Sequence, residues 1–255
     1  MSSAEAHVES HERGEAPQRI PETVPAYVAK VPAKTVFYIM LAATFVTSAA
    51  QAMLSTALPA IMEEFAVDAS MGNLLTTGYI YVLGILSVLT AFLIQRFDIR
   101  KLFLAAVACF VLGSALAWVA PSYYVLLAAR FLQAGGNGVL IPLVQTVAVS
   151  VYPKERHGFA LGLVGMVIGF APAVGPSIAG IIVQEASWRM IFVLLGVFAA
   201  LALAASFFTV RGEGAHYKVA LDLKSCLLFI PGLVLLLVGG EPGRSDLCSA
   251  YFTRL

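Results

Sequence analysis

Six long apolar stretches, near residues 36–62, 72–95, 102–120, 123–150, 158–183 and 190–209, constrain this chain more than any other feature. A bilayer hydrocarbon core about 30 Å thick requires roughly 20 apolar residues per crossing helix. Each stretch meets or approaches that length. The alternating pattern of membrane β-barrels is absent, and lipid offers a backbone amide no partner, so each stretch is expected to be a helix that satisfies its own hydrogen bonds. A seventh stretch, near 223–240, is shorter and weaker. Composition agrees: 60% of the 255 residues are hydrophobic and 12% are charged, where a soluble domain carries about 25% charged. The chain reads as an all-α, multi-pass membrane protein whose first partner is the lipid bilayer.

The remaining segments divide the chain. Residues 1–32 are rich in Glu, Ser and Pro and are expected to be a disordered tail. They lack the basic start and small-residue cleavage site of a signal peptide. Residues 33–210 form the six-span bundle, 211–222 a loop, 223–240 the weak seventh span, and 241–255 an atypical tail.

Several functions are excluded early. A net charge of +1, with no basic stripe, gives no case for nucleic acid. Cys109, Cys226 and Cys248 lack CxxC spacing, so neither a metal site nor a disulfide framework is expected, and no cofactor is implied. The spans hold no HExxH, no carboxylate pair and no His beside a nucleophile, which argues against an enzyme. Lys224 starts the seventh stretch rather than centring it, and span 3 has no counter-ion, so a retinal site is not expected.

Lys and Arg cluster on alternate loops. Lys30 and Lys34 precede span 1, and Arg96, Arg100 and Lys101 follow span 2. Lys154 and Arg156 follow span 4, and Arg211 and Lys218 follow span 6, whereas the opposite loops hold only Arg189. The asymmetry predicts a cytoplasmic amino terminus.

Spans 4–6 also match spans 1–3 in length and hydropathy. An offset of 83 carries Pro59 onto Pro142. A tandem three-span unit must point the opposite way the second time, and such inverted repeats are a transporter design with the site near the midplane.

Polar residues inside the spans fall into patterns. Arg130 lies seven residues past Tyr123, about 10 Å below the outer surface. A mid-bilayer Arg costs about 2.5–3.5 kcal/mol on insertion scales, so it must face protein or a wet cavity. Gln133 and Asn137 share its helical face. Either the three line a cavity, or Arg130 is structural and caps carbonyls between helices. Thr47, Gln51 and Ser55 form a comparable stripe on span 1, with Ser48 alongside, which reads as cavity lining or helix-to-helix bonding. On span 5 a seam of small residues (Gly158, Gly162, Gly165, Gly169, Ala173, Pro176, Gly180) would let another helix approach closely. Pro172 and Pro176 also remove helical donors there. The cluster Arg96, Asp98, Arg100 and Lys101 is a topology signal. No Asp, Glu or His falls within the interior of the first six spans, so no embedded proton-binding carboxylate is evident.

Four short strings add a resemblance. STALPAI ends span 1, ARFLQAGGNGVLIP lies on span 4, GFAPAVGPSIAG on span 5, and SWRMIF starts span 6. Together they resemble the major facilitator superfamily, and specifically its 14-spanning EmrB/QacA-type drug:proton antiporters, over roughly residues 36–240. The loop AFLIQRFDIRK departs from that family's pattern at Ala91, Gln95 and Asp98, and the acidic position of span 1 falls at Ala50.

The resemblance implies an amino-terminal six-helix half-bundle plus a partial seventh span. It further implies efflux of amphipathic organic compounds by alternating access, with the proton as coupling ion in the full-length protein, at the cell membrane. It assigns Arg130 to proton or substrate binding and Gly169, Pro172, Gly175, Pro176 and Gly180 to an antiporter motif that seals against leak. It makes Arg96, Asp98, Arg100 and Lys101 a cytoplasmic gate. It also implies a missing partner for the span 5 seam, either a carboxy-terminal half or a second copy. The alternatives are a non-transporting truncated fragment, or an uptake or sensor member of the same superfamily.

Overall fold

The computed structural model describes residues 33–209, and the expected tail, seventh span and carboxy-terminal segment lie outside them. Within them the six apolar stretches are helices: α1 (Ala33–Phe65), α2 (Ala69–Arg96), α3 (Ile99–Trp118), α4 (Tyr123–Val151), α5 (His157–Glu185) and α6 (Arg189–Thr209). All six are long and apolar enough to cross a membrane.

Short connections reverse the chain each time, and their local chemistry is identifiable. After α1, Ala66 adopts a left-handed φ of 49°. Its amide donates to Glu63 O at 3.3 Å, and that of Val67 to Met62 O at 3.1 Å, the double bond pattern of a Schellman motif. Asp68 then caps α2 by accepting from the Met71 amide at 3.0 Å. Asp98, before α3, instead pairs with Lys101 at 3.0 Å.

Packing follows the internal repeat. α1 lies against α5 and α6 as α4 lies against α2 and α3, while α1 meets α4 and α3 meets α6. Exchanging the first three helices with the last three maps these pairs onto one another. Pro59 and Pro142 both sit inside helices, α1 and α4.

The ends of α3 and α6 show the same relation in side chains. Arg189, opening α6, donates to Trp118 O (3.3 Å) and Ala120 O (2.9 Å) at the end of α3. Arg100, opening α3, donates to Phe207 O at the end of α6 (3.4 Å). Each helix therefore begins with a cation that satisfies carbonyls left over at the other's carboxy terminus. This arrangement requires α3 and α6 to run antiparallel.

Close contacts use small residues, as expected where lipid provides no hydrophobic drive between helices. A Cβ on Gly136 would lie 2.4 Å from Ala106 O, and one on Gly138 2.8 Å from Leu83 O, so α4 meets α3 and α2 backbone to backbone.

Candidate functional site

A chain of polar side chains, joined by hydrogen bonds and one cation–π contact, runs through the interior of the bundle and joins four helices. Arg130 of α4 is its centre, with no exposed surface. Nη1 of Arg130 donates to Oε1 of Gln133 at 2.8 Å. Gln133 Nε2 donates to the Ser114 hydroxyl of α3 at 2.8 Å, and Ser114 donates to Phe110 O at 2.9 Å. On its other side the guanidinium lies 4.2 Å over the ring of Tyr79 of α2. The Tyr79 hydroxyl accepts from Asn137 Nδ2 at 3.0 Å, and Asn137 Oδ1 accepts from the Thr47 hydroxyl of α1 at 2.8 Å. The i, i+3, i+7 spacing on α4 thus brings Arg130, Gln133 and Asn137 to one inward face.

Among the described residues no group of opposite charge neutralises Arg130. The acids among the described residues (Glu63, Glu64, Asp68, Asp98, Glu155, Glu185) all lie at helix ends or in connections. Its Nε and Nη2 are buried and have no hydrogen-bond partner. A buried ion that is only partly hydrogen-bonded costs several kcal/mol. The side chain neither caps a carbonyl nor reaches solvent; it is held by an amide and an aromatic face. Any acceptor for Nε and Nη2 must therefore enter by parting helices, because neither atom is open to water.

The other sequence-derived candidates separate. Thr47 joins the network, whereas Gln51 is half-buried and Ser55 is exposed, bonded only to Ala52 O of its own helix at 2.7 Å. Gly175 packs on α1, where a Cβ would meet Ala52, Ala49 O and Met53 at 3.2–3.3 Å. Gly169 and Gly180 face open space, and Pro172 and Pro176 are exposed. The whole seam from Gly158 to Gly180 thus looks away from α1. Arg96 is exposed, while Asp98, Lys101 and Arg100 tie the start of α3 to itself and to α6.

Tyr79 and Ser114 were not singled out by sequence, because nothing in an apolar run tells which face meets a neighbour. A second cluster was also missed. Glu64, at the end of α1, accepts from Trp188 Nε1 and pairs with Arg189, whose guanidinium lies 4.5 Å over the Trp188 ring. The SWRMIF string therefore fastens the ends of α1, α3 and α6 together. Among the described residues no group of His, Cys, Asp and Glu could hold a metal.

A repeated three-helix unit with a charge buried in its polar interior defines a class: a membrane transporter half-bundle. The chain belongs to the Major Facilitator Superfamily, whose family model matches residues 40–240. It is 41% identical over 201 residues to the uncharacterized MFS-type transporter YcnB of Bacillus subtilis, covering 79% of this chain and 43% of that protein. It is 33% identical over 189 residues to the lincomycin resistance protein LmrB of the same organism, covering 74% and 40%. Among solved structures, a peptide transporter POT in complex with sulfate matches with a TM-score of 0.65 at 14% identity, over 80% of this chain and 45% of that one. A bacterial homolog of the lysosomal transporter Spinster matches with a TM-score of 0.62 at 16% identity, over 77% and 47%. At those identities the likeness is one of fold. The chain spans less than half the length of the relatives it matches. The family is one of transporters, not enzymes.

Proposed function

We propose that this chain is the amino-terminal portion of an exporter of amphipathic organic compounds, of the 14-spanning EmrB/QacA type, in the plasma membrane with its amino terminus cytoplasmic. The observation that carries the reading is the uncompensated charge of Arg130, set in a polar network that links α1, α2, α3 and α4. In an alternating-access cycle those helices change neighbours, and a charge lacking a counter-ion makes the energy of each arrangement depend on whether a proton or solute has entered nearby. Thr47, Gln51, Ser55, Gln133 and Asn137 are the companion residues of that pathway. The proton is the proposed coupling ion, and the carboxylate it needs would come from outside the described residues. Likeness to the lincomycin resistance protein supports an organic substrate.

The test is drug accumulation in cells expressing a length-competent protein that contains this half. Export that collapses with the proton gradient and with Arg130→Met, at unchanged membrane abundance, is expected. Unaltered export by Arg130→Met would overturn the reading.

A further inference from the structure

Tyr38, Phe45, Ala49 and Met53 recur along α1 at steps of seven and four, a single helical stripe. They floor a groove walled by Val167 and Ile178 of α5 and by Phe198 of α6, enclosing about 600 Å³. Its lining is apolar apart from the Tyr38 hydroxyl. From Tyr38 to Met53 it runs about 22 Å at 1.5 Å per residue, most of one hydrocarbon core.

Three observations say what fills it. The first is direction. At 100° per residue, Val167 and Ile178 lie on the side of α5 opposite Gly165, Gly169 and Pro176. Whatever protein surface covers the small-residue seam, the groove faces the other way, the side a bilayer would occupy. The second is shape: a narrow, apolar trough of this length and volume suits one long acyl chain. The third is charge. Lys34 is exposed and lies one turn before Tyr38 on the same stripe, at the groove's end. There an ammonium and a half-exposed phenol stand at headgroup depth.

We propose that the α1–α5–α6 groove is a binding site for an anionic phospholipid, one acyl chain lying along Phe45 to Met53 and the phosphate held by Lys34 beside Tyr38. The site is separate from the Arg130 network: on α1 the groove stripe and Thr47 occupy different faces.

The test uses the 255-residue chain reconstituted in bilayers carrying a tracer of phosphatidylglycerol with a diazirine in its acyl chain, or phosphatidylcholine with the same label. After irradiation, adducts are mapped by peptide mass spectrometry. Phosphatidylglycerol adducts are expected to concentrate at Ala42, Phe45 and Phe198 over the exposed Leu112 and Leu116 of α3. Ala42→Trp, which fills an exposed position beside the trough, should abolish that excess. Lys34→Glu, which leaves the trough intact, should reduce phosphatidylglycerol labelling about fivefold or more, the weight of one basic residue near an anionic surface. Even labelling around the bundle, or equal labelling by the two lipids, overturns the proposal. So does a crosslink from position 42 to residues 223–240 or to a second copy of the chain.

Discussion

The guanidinium of Arg130 stacks 4.2 Å over the ring of Tyr79 and makes no ion pair among the described residues, so this buried charge rests on an aromatic face. Stacking of this kind contributes about 0.5–2 kcal/mol. That is less than the several kcal/mol needed to bury an ion. Stacking alone therefore does not offset the burial of Arg130, and the Gln133 hydrogen bond supplies part of the remainder.

Arg130→Met should leave stability within about 1 kcal/mol of wild type, because removing the buried charge offsets the Gln133 acceptor left unpaired. Arg130→Lys should be the less stable variant, since it keeps the charge while losing the planar stack. Thermal unfolding in detergent ranks the two, and the reverse order would make Arg130 a structural residue.

The Thr47–Asn137 bond is the link that carries the network to α1. Interhelical hydrogen bonds in membranes average about 0.6 kcal/mol in double-mutant cycles, with a maximum near 1.7. A cycle of Thr47→Val and Asn137→Leu should return a coupling energy in that range. Zero coupling would mean the bond does not hold α1 to α4 in the folded protein.

The helices were legible in the sequence because lipid leaves a long apolar run one backbone solution. The shared face of Arg130, Gln133 and Asn137 was legible too, since it depends only on helical period. Partners across helices were not. Tyr79 and Ser114 complete the network only through the rotation and register of α2 and α3 against α4, which Gly138 and Gly113 permit by close approach. The same limit divided the span 1 stripe: Thr47 meets Asn137, while Gln51 and Ser55 lie one and two turns on, outside the network. The reciprocal caps by Arg100 and Arg189 also depend on distant helix ends, so Arg189 read only as a loop charge.

Ala66 is the sole non-glycine residue with positive φ among those described. A left-handed conformation costs an L-residue roughly 1–2 kcal/mol that glycine does not incur, partly offset by glycine's greater freedom when unfolded. Ala66→Gly should therefore stabilise by about 0.5–1 kcal/mol without affecting α1 or α2. A lower unfolding temperature would contradict the Schellman assignment.

Topology is testable at two connections. A cysteine beside Asp98, between α2 and α3, should be labelled by an impermeant maleimide only from the cytoplasm. One beside Ser122, before α4, should react only from outside. Labelling of both from one side would remove the alternation on which the repeat depends.

The small-residue seam of α5 provides the sharpest contrast between helix faces. At Gly136 of α4 a methyl would collide with Ala106 O, so Gly136→Ala should destabilise by about 1–3 kcal/mol. At Gly162 and Gly169 nothing lies within 4 Å, so alanine there should be neutral or stabilise by up to about 1 kcal/mol through helix propensity. If the seam seats a helix from a longer protein, Gly169→Ala in that protein should impair export while the 255-residue chain remains as stable as before. If transport requires the seam to be covered by a helix from outside this chain, the 255-residue chain expressed alone should insert but not export. Cysteines at Gly162 or Gly169 then separate the remaining possibilities. Disulfide-linked dimers accompanied by export would show that two copies complete the cavity across the seam. Export without such links would refute the need for any partner there.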